Sequence, residues 1–325
     1  MAEKTTVLIP DRVHPIAADQ LREAGLAVIA PGQMSRAETL SAVAHSTALI
    51  VRSATQVDAA LLAAARQLRF VVRAGAGVDN VDLPCATERG IIVMNTPGVN
   101  ALAVAEYTIG LLLALARYIP QAHMSLREGE WNQQAFMGVT LYGKVLGIYG
   151  FGRIGQAVAE RAQAFGMRFL AHDPFVPAAA MAEKGVEAVG LETLWAEADF
   201  LSLHAEVNEH TRGIVNEASI ARMKPGVRII NAARGALIDT SALAAALQRG
   251  AIAGAALDVF EPEPPPADYP LLAAPGVVHT PHLAANAKEV QEALARAAAD
   301  TLLQALQQGS WQNVCNPEVL AKDAG

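Results

Sequence analysis

Short apolar runs alternate with helical patterns through the first hundred residues. Runs rich in Val, Ile, Leu and Ala, typical of buried strands, lie at 7–10, 27–30, 48–51, 70–73 and 91–94. Apolar residues three and four apart predict helices between them at 15–24, 36–44 and 59–66. Because strands buried on both faces have continuous apolar runs, this alternation predicts a parallel, doubly wound sheet.

The same alternation resumes in the second half of the chain. Strands are predicted at 145–149, 167–172, 200–204, 227–231, 252–258 and 277–280, with helices such as 191–197 and 241–248 between them. The pattern therefore predicts an α/β chain with two doubly wound parallel-sheet domains.

Three further segments organise these domains. An apolar helix is predicted over 99–118, and an irregular segment with apolar side chains among polar neighbours over 120–143. Their apolar surface indicates packing against another domain or a partner subunit. A long amphipathic helix over 288–308 is predicted to return to the first domain, which makes that domain discontinuous.

A glycine motif opens the second sheet. Gly150, Gly152 and Gly155 fit G-x-G-x-x-G directly after an apolar run. The first glycine permits a tight turn, the second lets the backbone approach a pyrophosphate, and the third lets the helix pack on the strand. Asp173 follows near the spacing of about 20 residues expected for the acid that binds the adenosine ribose. Since an acid here repels a 2′-phosphate, we expect NAD; the alternative is an ordinary strand–turn–helix with packing glycines.

Composition narrows the classes of protein. The 325 residues are 52% apolar and 18% charged, enough for about two domains with full cores. The net charge of −7 and the lack of a basic run argue against a nucleic-acid surface. Cys85 and Cys315 provide no disulfide framework or metal spacing, so we expect a reducing cytoplasm and no metal. We expect no signal peptide or membrane span, because the N-terminus lacks an apolar core and the run 109–116 is too short.

Arg234, Glu263 and His282 each come shortly after a predicted strand of the second sheet. Ligands in open α/β sheets bind beyond the carboxyl ends of the strands, so we expect these side chains to converge. A guanidinium holds a carboxylate with two hydrogen bonds, an imidazole takes a hydroxyl proton, and a carboxylate orients the imidazole. Singly, each residue is better explained as a surface or turn residue; together they favour the oxidation of a hydroxy acid.

Other strand-end residues are weaker candidates. Asp258 is interpreted either as a turn former or, with some preference, as an acceptor near the nicotinamide, and His204 is assigned only to the rim of the cofactor site. Six residues of the first domain can hold an anion through a guanidinium or backbone N–H groups: Arg52, Ser53, Arg73, Gly75, Ala76 and Gly77. An exposed arginine and a simple turn explain these six equally well.

Five motifs together span most of the chain. They are RAGAGVDNVD at 73–82, LGIYGFGRIG at 146–155, NAARG at 231–235, ALDVFEPEP at 256–264 and TPH at 280–282. Together they resemble the D-isomer-specific 2-hydroxyacid dehydrogenases, and the 3-phosphoglycerate dehydrogenase branch is the most similar.

The resemblance implies an architecture and an activity. A Rossmann NAD-binding domain, 99–284, would be inserted in a flavodoxin-like substrate-binding domain made of 1–98 and 285–325. The implied protein is a homodimer that transfers a hydride between NAD and C2 of a small anionic 2-hydroxy or 2-oxo acid, with Arg234, Glu263 and His282 as the catalytic set. The positions matching the family's NAD contacts are Arg153, Ile154, Asp173, Ala205, Ala232, Ala233, Arg234, Asp258, His282, Leu283, Ala284 and Ala285.

The chain departs from the phosphoglycerate branch in three places. Residues 131–135 read WNQQA, where basic residues that meet a substrate phosphate are common, and Ala76 stands where many members have Thr. The sequence stops at residue 325, so we expect neither the C-terminal regulatory domains of the serine-inhibited members nor feedback inhibition by serine.

The acid therefore stays open at this stage. We expect the substrate to be 3-phosphoglycerate. The alternative is that the protein is a hydroxypyruvate or glyoxylate reductase, or a dehydrogenase of another unphosphorylated acid. A different class, a non-catalytic NAD-sensing corepressor, shares the fold, although the bare termini count against it. Formate dehydrogenases pair their histidine with an amide, so Glu263 argues against that substrate.

Overall fold

The computed structural model describes residues 5–309 and 311–322, which form two compact units. Unit 1 combines Met1–Asn100 with Asn286–Gly325, and unit 2 is Ala101–Ala285. Within the predicted substrate-binding domain, residues 1–4, 310 and 323–325 lie outside the described residues.

Unit 1 is built on a parallel sheet. Its described strands are β1 (Thr6–Leu8), β2 (Ala27–Ile29), β3 (Ala48–Val51), β4 (Phe70–Arg73) and β5 (Ile92–Asn95). The helices between them are α1 (Ile16–Glu23), α2 (Arg36–Val43), α3 (Ala59–Ala64) and α4 (Leu83–Glu88). In the order β2-β1-β3-β4-β5 every pairing is parallel, so all carboxyl ends lie at one edge. Alternate residues face opposite sides: Ile50 packs in one core, and Leu49 and Val51 pack in the other.

Unit 2 contains the longer sheet. Its described helices are α5 (Ala101–Arg117), α6 (Ile119–Arg127), α7 (Arg153–Ala162), α8 (Ala178–Ala182), α9 (Leu191–Glu197), α10 (Glu217–Ile220) and α11 (Thr240–Gln248). Its described strands are β6 (Val145–Tyr149), β7 (Arg168–His172), β8 (Glu187–Ala188), β9 (Phe200–Leu203), β10 (Val227–Asn231), β11 (Ile252–Leu257) and β12 (Val277–His279). Short 3₁₀ turns occupy Gln134–Phe136, Gln163–Phe165 and Gly235–Leu237.

The strand order of unit 2 is that of a dinucleotide-binding sheet. The order β12-β11-β10-β9-β6-β7-β8 is parallel throughout, and the direction of winding reverses between β6 and β9. Ligands bind at such a reversal, beyond the carboxyl ends of the strands. The glycine motif follows β6 and therefore lies at that point. The α/β fold class predicted from the sequence is confirmed.

The end of the described chain completes unit 1. Helix α12 (Lys288–Gln308) places Leu302 and its neighbouring alanines in the core beside β1 and β3, and α13 (Glu318–Lys322) follows it. The buried side chain of Asn316 accepts from the Val93 N–H at 2.9 Å and donates to the Ile91 carbonyl at 2.9 Å. The backbone of Val314 bridges to Met94 in antiparallel fashion. A segment distant in sequence thus covers the outer edge of β5.

The predicted irregular segment 120–143 begins with a helix instead. Tyr118, at φ 53, ends the run of α5, and Pro120 lies in the first turn of α6. Proline is tolerated there because the first N–H groups of a helix have no partner inside it. No helix in the described part of the chain is by itself long and apolar enough to cross a membrane; α5 and α6, bent by 62°, reach that length and composition only as a pair.

Candidate active site

The glycine turn after β6 has the packing that its motif predicts. A Cβ on Gly150, at φ +89, would lie 2.7 Å from the Ala205 nitrogen, and one on Gly155 would lie 2.3 Å from the Gly150 carbonyl oxygen. Neither position admits a larger residue without a backbone shift. A Cβ on Gly152 would meet nothing within 4 Å, so open space lies before the first turn of α7. Such a space, beside unpaired N–H groups at a helix start, fits a pyrophosphate.

Asp173 lies directly beside this turn. Its carboxylate accepts from the backbone N–H of Phe151 at 2.8 Å and from that of Phe175 at 2.9 Å. Each carboxylate oxygen has a further lone pair with which to accept a ribose hydroxyl. The acid is thus held in place, and its charge disfavours a 2′-phosphate. The residues present therefore fit NAD.

His204 supports the glycine turn from behind. Its backbone carbonyl and the Ala205 nitrogen are the atoms that Gly150 packs against. Its Nε2 lies 2.8 Å from the Ser202 hydroxyl, and burial lowers the pKa of the imidazole to about 4. The ring is therefore neutral near pH 7. A contact between His204 or Ala205 and the cofactor stays a prediction.

Glu263 and His282 form a direct hydrogen bond. Nδ1 of His282 lies 2.8 Å from Oε2 of Glu263, while Oε1 of Glu263 accepts from the Phe260 N–H at 2.9 Å. Because an ionised carboxylate only accepts, the proton of a neutral His282 lies on Nδ1. Nε2 is then left as the acceptor, which is the form that a general base requires.

The charge of Glu263 is protected by its neighbours. Burial raises the pKa of this carboxyl. The pKa is lowered by a larger amount through hydrogen bonds from His282 and Phe260 and through the charges of His282 and Arg234, so it lies below the ordinary value. The stabilisation from these contacts is present above the ordinary pKa and is lost as pH falls through the lowered one. The carboxylate therefore stays ionised throughout the neutral range.

Arg234 is placed by the turn after β10. The Asn231 side chain donates to the Arg234 carbonyl at 2.8 Å and accepts from the Ala233 N–H at 3.0 Å. The Arg234 guanidinium donates to the Ala233 carbonyl at 2.7 Å, and its charge reaches Glu263. The three residues that the sequence groups together thus lie at adjacent strand ends of unit 2. Their catalytic roles stay predictions.

Asp258 holds the turn that carries His282. Its fully buried carboxylate accepts from the Thr280 hydroxyl at 2.6 Å, the Leu283 N–H at 2.8 Å and the Ala284 N–H at 2.9 Å. Its own carbonyl accepts from the His282 N–H at 2.8 Å. His282 has φ 53, an uncommon conformation for a residue with a side chain. These contacts favour the turn-forming interpretation; an additional role near the nicotinamide stays a prediction.

The remaining positions matched to NAD contacts line the same edge. Ala232 and Ala284 are buried in the core on one side of the sheet, and Ala285 packs against that core. Arg153 and Ile154 form the first turn of α7, with Arg153 exposed. Contacts of these residues with a cofactor stay predictions.

In unit 1, a buried acid shapes the loop that contains Arg52 and Ser53. Asp11 accepts from the Arg52 N–H at 2.6 Å and from the Thr55 hydroxyl at 2.6 Å. The Asn80 amide donates to the carbonyls of Arg52 and Thr55, both at 2.7 Å. Burial lowers the pKa of the Arg52 guanidinium, and the charge of Asp11 opposes that shift. Asp11 and Asn80 were not predicted from the sequence, although Asp11 follows β1 as the other candidates follow their strands.

Arg73 lies over the glycine turn that follows it. A Cβ on Gly75, at φ +150, would lie 1.4 Å from Nη1 of Arg73, so the guanidinium occupies the space that glycine leaves. The Thr96 N–H donates to the Gly75 carbonyl at 3.0 Å, and the Asn95 amide donates to the Ala76 carbonyl. The turn over 75–77 is therefore fixed from β5. Substrate binding by this turn stays a prediction.

Comparison with known proteins identifies the family. Residues 109–284, more than half of the chain, match the family described as "D-isomer specific 2-hydroxyacid dehydrogenase, NAD binding domain". The chain belongs to this family. Within the described residues, no group of three or more His, Cys, Asp or Glu side chains is placed to hold a metal ion. The family and the NAD cofactor predicted from the sequence are confirmed.

Individual family members are similar over most of this chain. D-3-phosphoglycerate dehydrogenase of Rattus norvegicus is 46% identical over 285 residues, which are 88% of this chain and 53% of that protein. The chain thus spans about half the length of this relative. The TT0316 protein from Thermus thermophilus is 39% identical with a TM-score of 0.85, covering 96% of this chain and 100% of the other. A glyoxylate reductase from Paecilomyes thermophila is 31% identical with a TM-score of 0.86, covering 97% and 99%.

The contacts of Asp258 predict that its carboxylate stabilises the 280–284 turn. In Asp258→Asn, one carboxylate oxygen becomes an NH₂ group that faces N–H or O–H donors, so the 280–284 turn loosens. We expect amide hydrogen exchange at Leu283 and Ala284 to rise about tenfold or more, because hydrogen bonds to a charged acceptor are lost. Mass spectrometry or NMR measures this rate.

Asp239→Asn is the matched control. Asp239 caps α11 by accepting from the Ala242 N–H, and asparagine caps a helix equally well. Equal exchange rates at 283–284 in both variants and the unmodified protein would show that Asp258 does not hold the turn.

Proposed function

We propose that the protein catalyses NAD-dependent hydride transfer at C2 of a small D-2-hydroxy acid. The observation that carries the proposal is the 2.8 Å hydrogen bond between Glu263 and His282, beside Arg234, on the unit that contains the NAD-binding family domain. This set combines an oriented base with a carboxylate-binding cation at one sheet edge.

Each residue has a separate role in the oxidation. The Arg234 guanidinium binds the substrate carboxylate and fixes C2 relative to His282. Nε2 of His282 takes the hydroxyl proton as the C2–O bond becomes a carbonyl, and Glu263 stabilises the resulting imidazolium. NAD held at the glycine turn of Gly150, Gly152 and Gly155, beside Asp173, would supply the acceptor for the hydride of C2. In reduction, His282 returns the proton to the carbonyl oxygen.

The substrate that we propose is 3-phosphoglycerate, as in a serine-forming route. It is supported by the identity to D-3-phosphoglycerate dehydrogenases over 88% of the chain. We propose that residues 1–98 and 285–325 form the substrate-binding domain, and that Arg52, Ser53, Arg73 and the 75–77 turn hold the anionic distal end. An unphosphorylated acid such as glyoxylate or hydroxypyruvate is the second candidate. It is favoured by the exposed WNQQA segment at 131–135, which lacks a cation.

A reducing, cytoplasmic location and a homodimer belong to the same proposal. The location is supported by the sequence, whose two cysteines, Cys85 and Cys315, are too few for a disulfide framework. The dimer is supported by large apolar side chains that unit 2 exposes between α6 and β6. Trp131 is 77% exposed, and Met137 and Tyr142 are each 81% exposed. Such a concentration is typical of a subunit interface.

The catalytic pair is tested by substitution. His282→Ala should lower kcat by about 10²- to 10⁴-fold, because no group then takes the hydroxyl proton, and Glu263→Gln should lower it less. Binding of NAD, followed by calorimetry, should change little. His210→Ala, which alters a loop histidine whose side chain is 85% exposed, should leave kcat unchanged. Full activity in His282→Ala would contradict the assignment.

The substrate is tested by a panel of acids with NAD and NADP. We expect kcat/KM for 3-phosphoglycerate to exceed that for D-glycerate by about 10- to 100-fold, the range for charged hydrogen bonds to a phosphate. NAD should be preferred because of Asp173. Faster turnover of glyoxylate or hydroxypyruvate with NADH would favour the second candidate. No turnover of any acid, with NAD bound, would favour the corepressor class.

The dimer is tested by charge substitution in the exposed apolar segment. We expect the unmodified protein to sediment at twice the mass of one chain. The double variant Trp131→Lys/Met137→Lys should sediment at the mass of one chain, because buried like charges oppose association. Leu272→Lys, at a half-exposed position elsewhere in unit 2, is the control and should stay dimeric. A double variant with unchanged mass would place the interface elsewhere.

A further inference from the structure

We infer that Phe260 is a positioning residue for the Glu263–His282 pair, an inference that rests on the proposed function. Phe260 contacts neither substrate nor cofactor in this proposal. It holds the turn between Asp258 and Glu263 in the position in which the carboxylate of Glu263 can bond to the imidazole of His282.

The Phe260 ring is fixed by two aromatic neighbours. It lies edge-on to Tyr269, with ring centroids 5.8 Å apart, and stacks on His279 at 6.3 Å. Each neighbour is itself anchored: the Tyr269 hydroxyl lies 2.7 Å from that of Thr240, and Nε2 of His279 lies 2.8 Å from the Leu271 carbonyl oxygen. Such pairs contribute beyond their buried area because aromatic edges and faces carry opposite partial charge. The ring therefore has one well-defined place.

The Phe260 backbone connects the strand ends that carry the catalytic residues. Its N–H donates to Oε1 of Glu263 at 2.9 Å, which leaves Oε2 for His282. Its carbonyl carbon lies 2.1 Å from where a Cβ on Gly235 would stand, so the residue after Arg234 must be glycine for the turn to close. The ring stacks on His279 at the end of β12, three residues before His282. Phe260 thus positions Glu263 relative to both Arg234 and His282.

The loss of the ring has a defined electrostatic effect. Without it, the 259–262 turn gains freedom and the N–H no longer points steadily at Oε1. The charges of His282 and Arg234 also act on Glu263; on its own loop, Glu261 is paired with Arg212 at 2.9 Å. With the backbone bond weakened and burial unchanged, the pKa of Glu263 rises, and the protonated acid no longer orients the imidazole.

The test compares Phe260→Ala with Phe260→Tyr, which keeps the ring, and with Phe169→Ala. Phe169 is a similarly buried phenylalanine in the core on the opposite side of the sheet, so it controls for lost stability alone. The first measurement needs no cofactor: the ¹³C signal of the Glu263 carboxyl, assigned with Glu263→Gln, is followed through a pH titration. The second is the pH dependence of kcat for 2-oxo acid reduction.

We expect the Glu263 titration and the acid limb of kcat to move upward by about one pH unit in Phe260→Ala, the size of a hydrogen bond to a charged group. We expect kcat to fall about tenfold, KM for NADH to stay within about twofold, and Phe260→Tyr to restore both profiles. An unmoved titration in folded Phe260→Ala, or an equal shift in Phe169→Ala, would overturn the inference.

Gly235→Ala provides a second route to the same turn. Its Cβ would displace the Phe260 carbonyl, and we expect the same upward shift of the Glu263 titration. Gly254→Ala, whose Cβ would lie 2.7 Å from the Gly276 carbonyl away from the site, is its control and should leave the titration unmoved. If the unmodified protein reduces no 2-oxo acid, the proposed function fails, while the carboxyl titration still decides the role of Phe260.

Discussion

The hydrogen bond between Glu263 and His282 is the interaction on which the candidate site depends. It fixes which imidazole nitrogen carries the proton, and therefore leaves Nε2 of His282 as the acceptor. The bond forms because β10, β11 and β12 end nearly level: Asn231 pairs with Leu257, and Leu257 pairs with His279. Because neighbouring parallel strands end at the same level, the three short loops that follow them lie side by side.

Both units use a buried carboxylate in the same way. Asp258 follows β11 and holds the turn of His282, while Asp11 follows β1 and holds the loop of Arg52. A buried charge is costly unless hydrogen bonds satisfy it, so each acid strongly favours the one loop conformation that supplies its donors. Rigid loops result where glycine or alanine alone would leave mobile ones. The candidate ligand-binding groups are thus positioned by acids that do not themselves face solvent.

Much of this arrangement could be predicted from the sequence, because buried parallel strands appear as continuous apolar runs and the candidate ligand-binding residues directly follow those runs. The strands 48–51, 70–73, 145–149 and 227–231 and the helix 288–308 lie where their apolar patterns predict. Helix α6 was not predicted, since Pro120 so close after α5 indicates a stop, whereas it begins a new helix. Helices such as α8 and α10 span too few turns to show a period.

Some residues of the candidate site could likewise be predicted from the sequence, and others could not. Arg234, Glu263 and His282 could be found because their chemistry matches their place at strand ends. Asp258 follows β11, as its position in the sequence predicts. Whether its oxygens accept from a loop or from a ligand depends on backbone direction, which no pattern of residue types reveals. Phe260 looks like an ordinary core aromatic in the sequence. Its proposed role depends on one N–H and one neighbouring glycine, which come together only in the folded chain.

The discontinuity of unit 1 has a consequence for biosynthesis. Unit 2 is one continuous stretch, 101–285, whereas unit 1 requires α12 in its core and the bond from Val93 to Asn316, a separation of 223 residues. On the ribosome, the nucleotide-binding unit is therefore complete while the other still has an open core and a bare edge at β5. During that interval the unfinished sheet is the part of the nascent chain most exposed to chaperones and to wrong strand pairing.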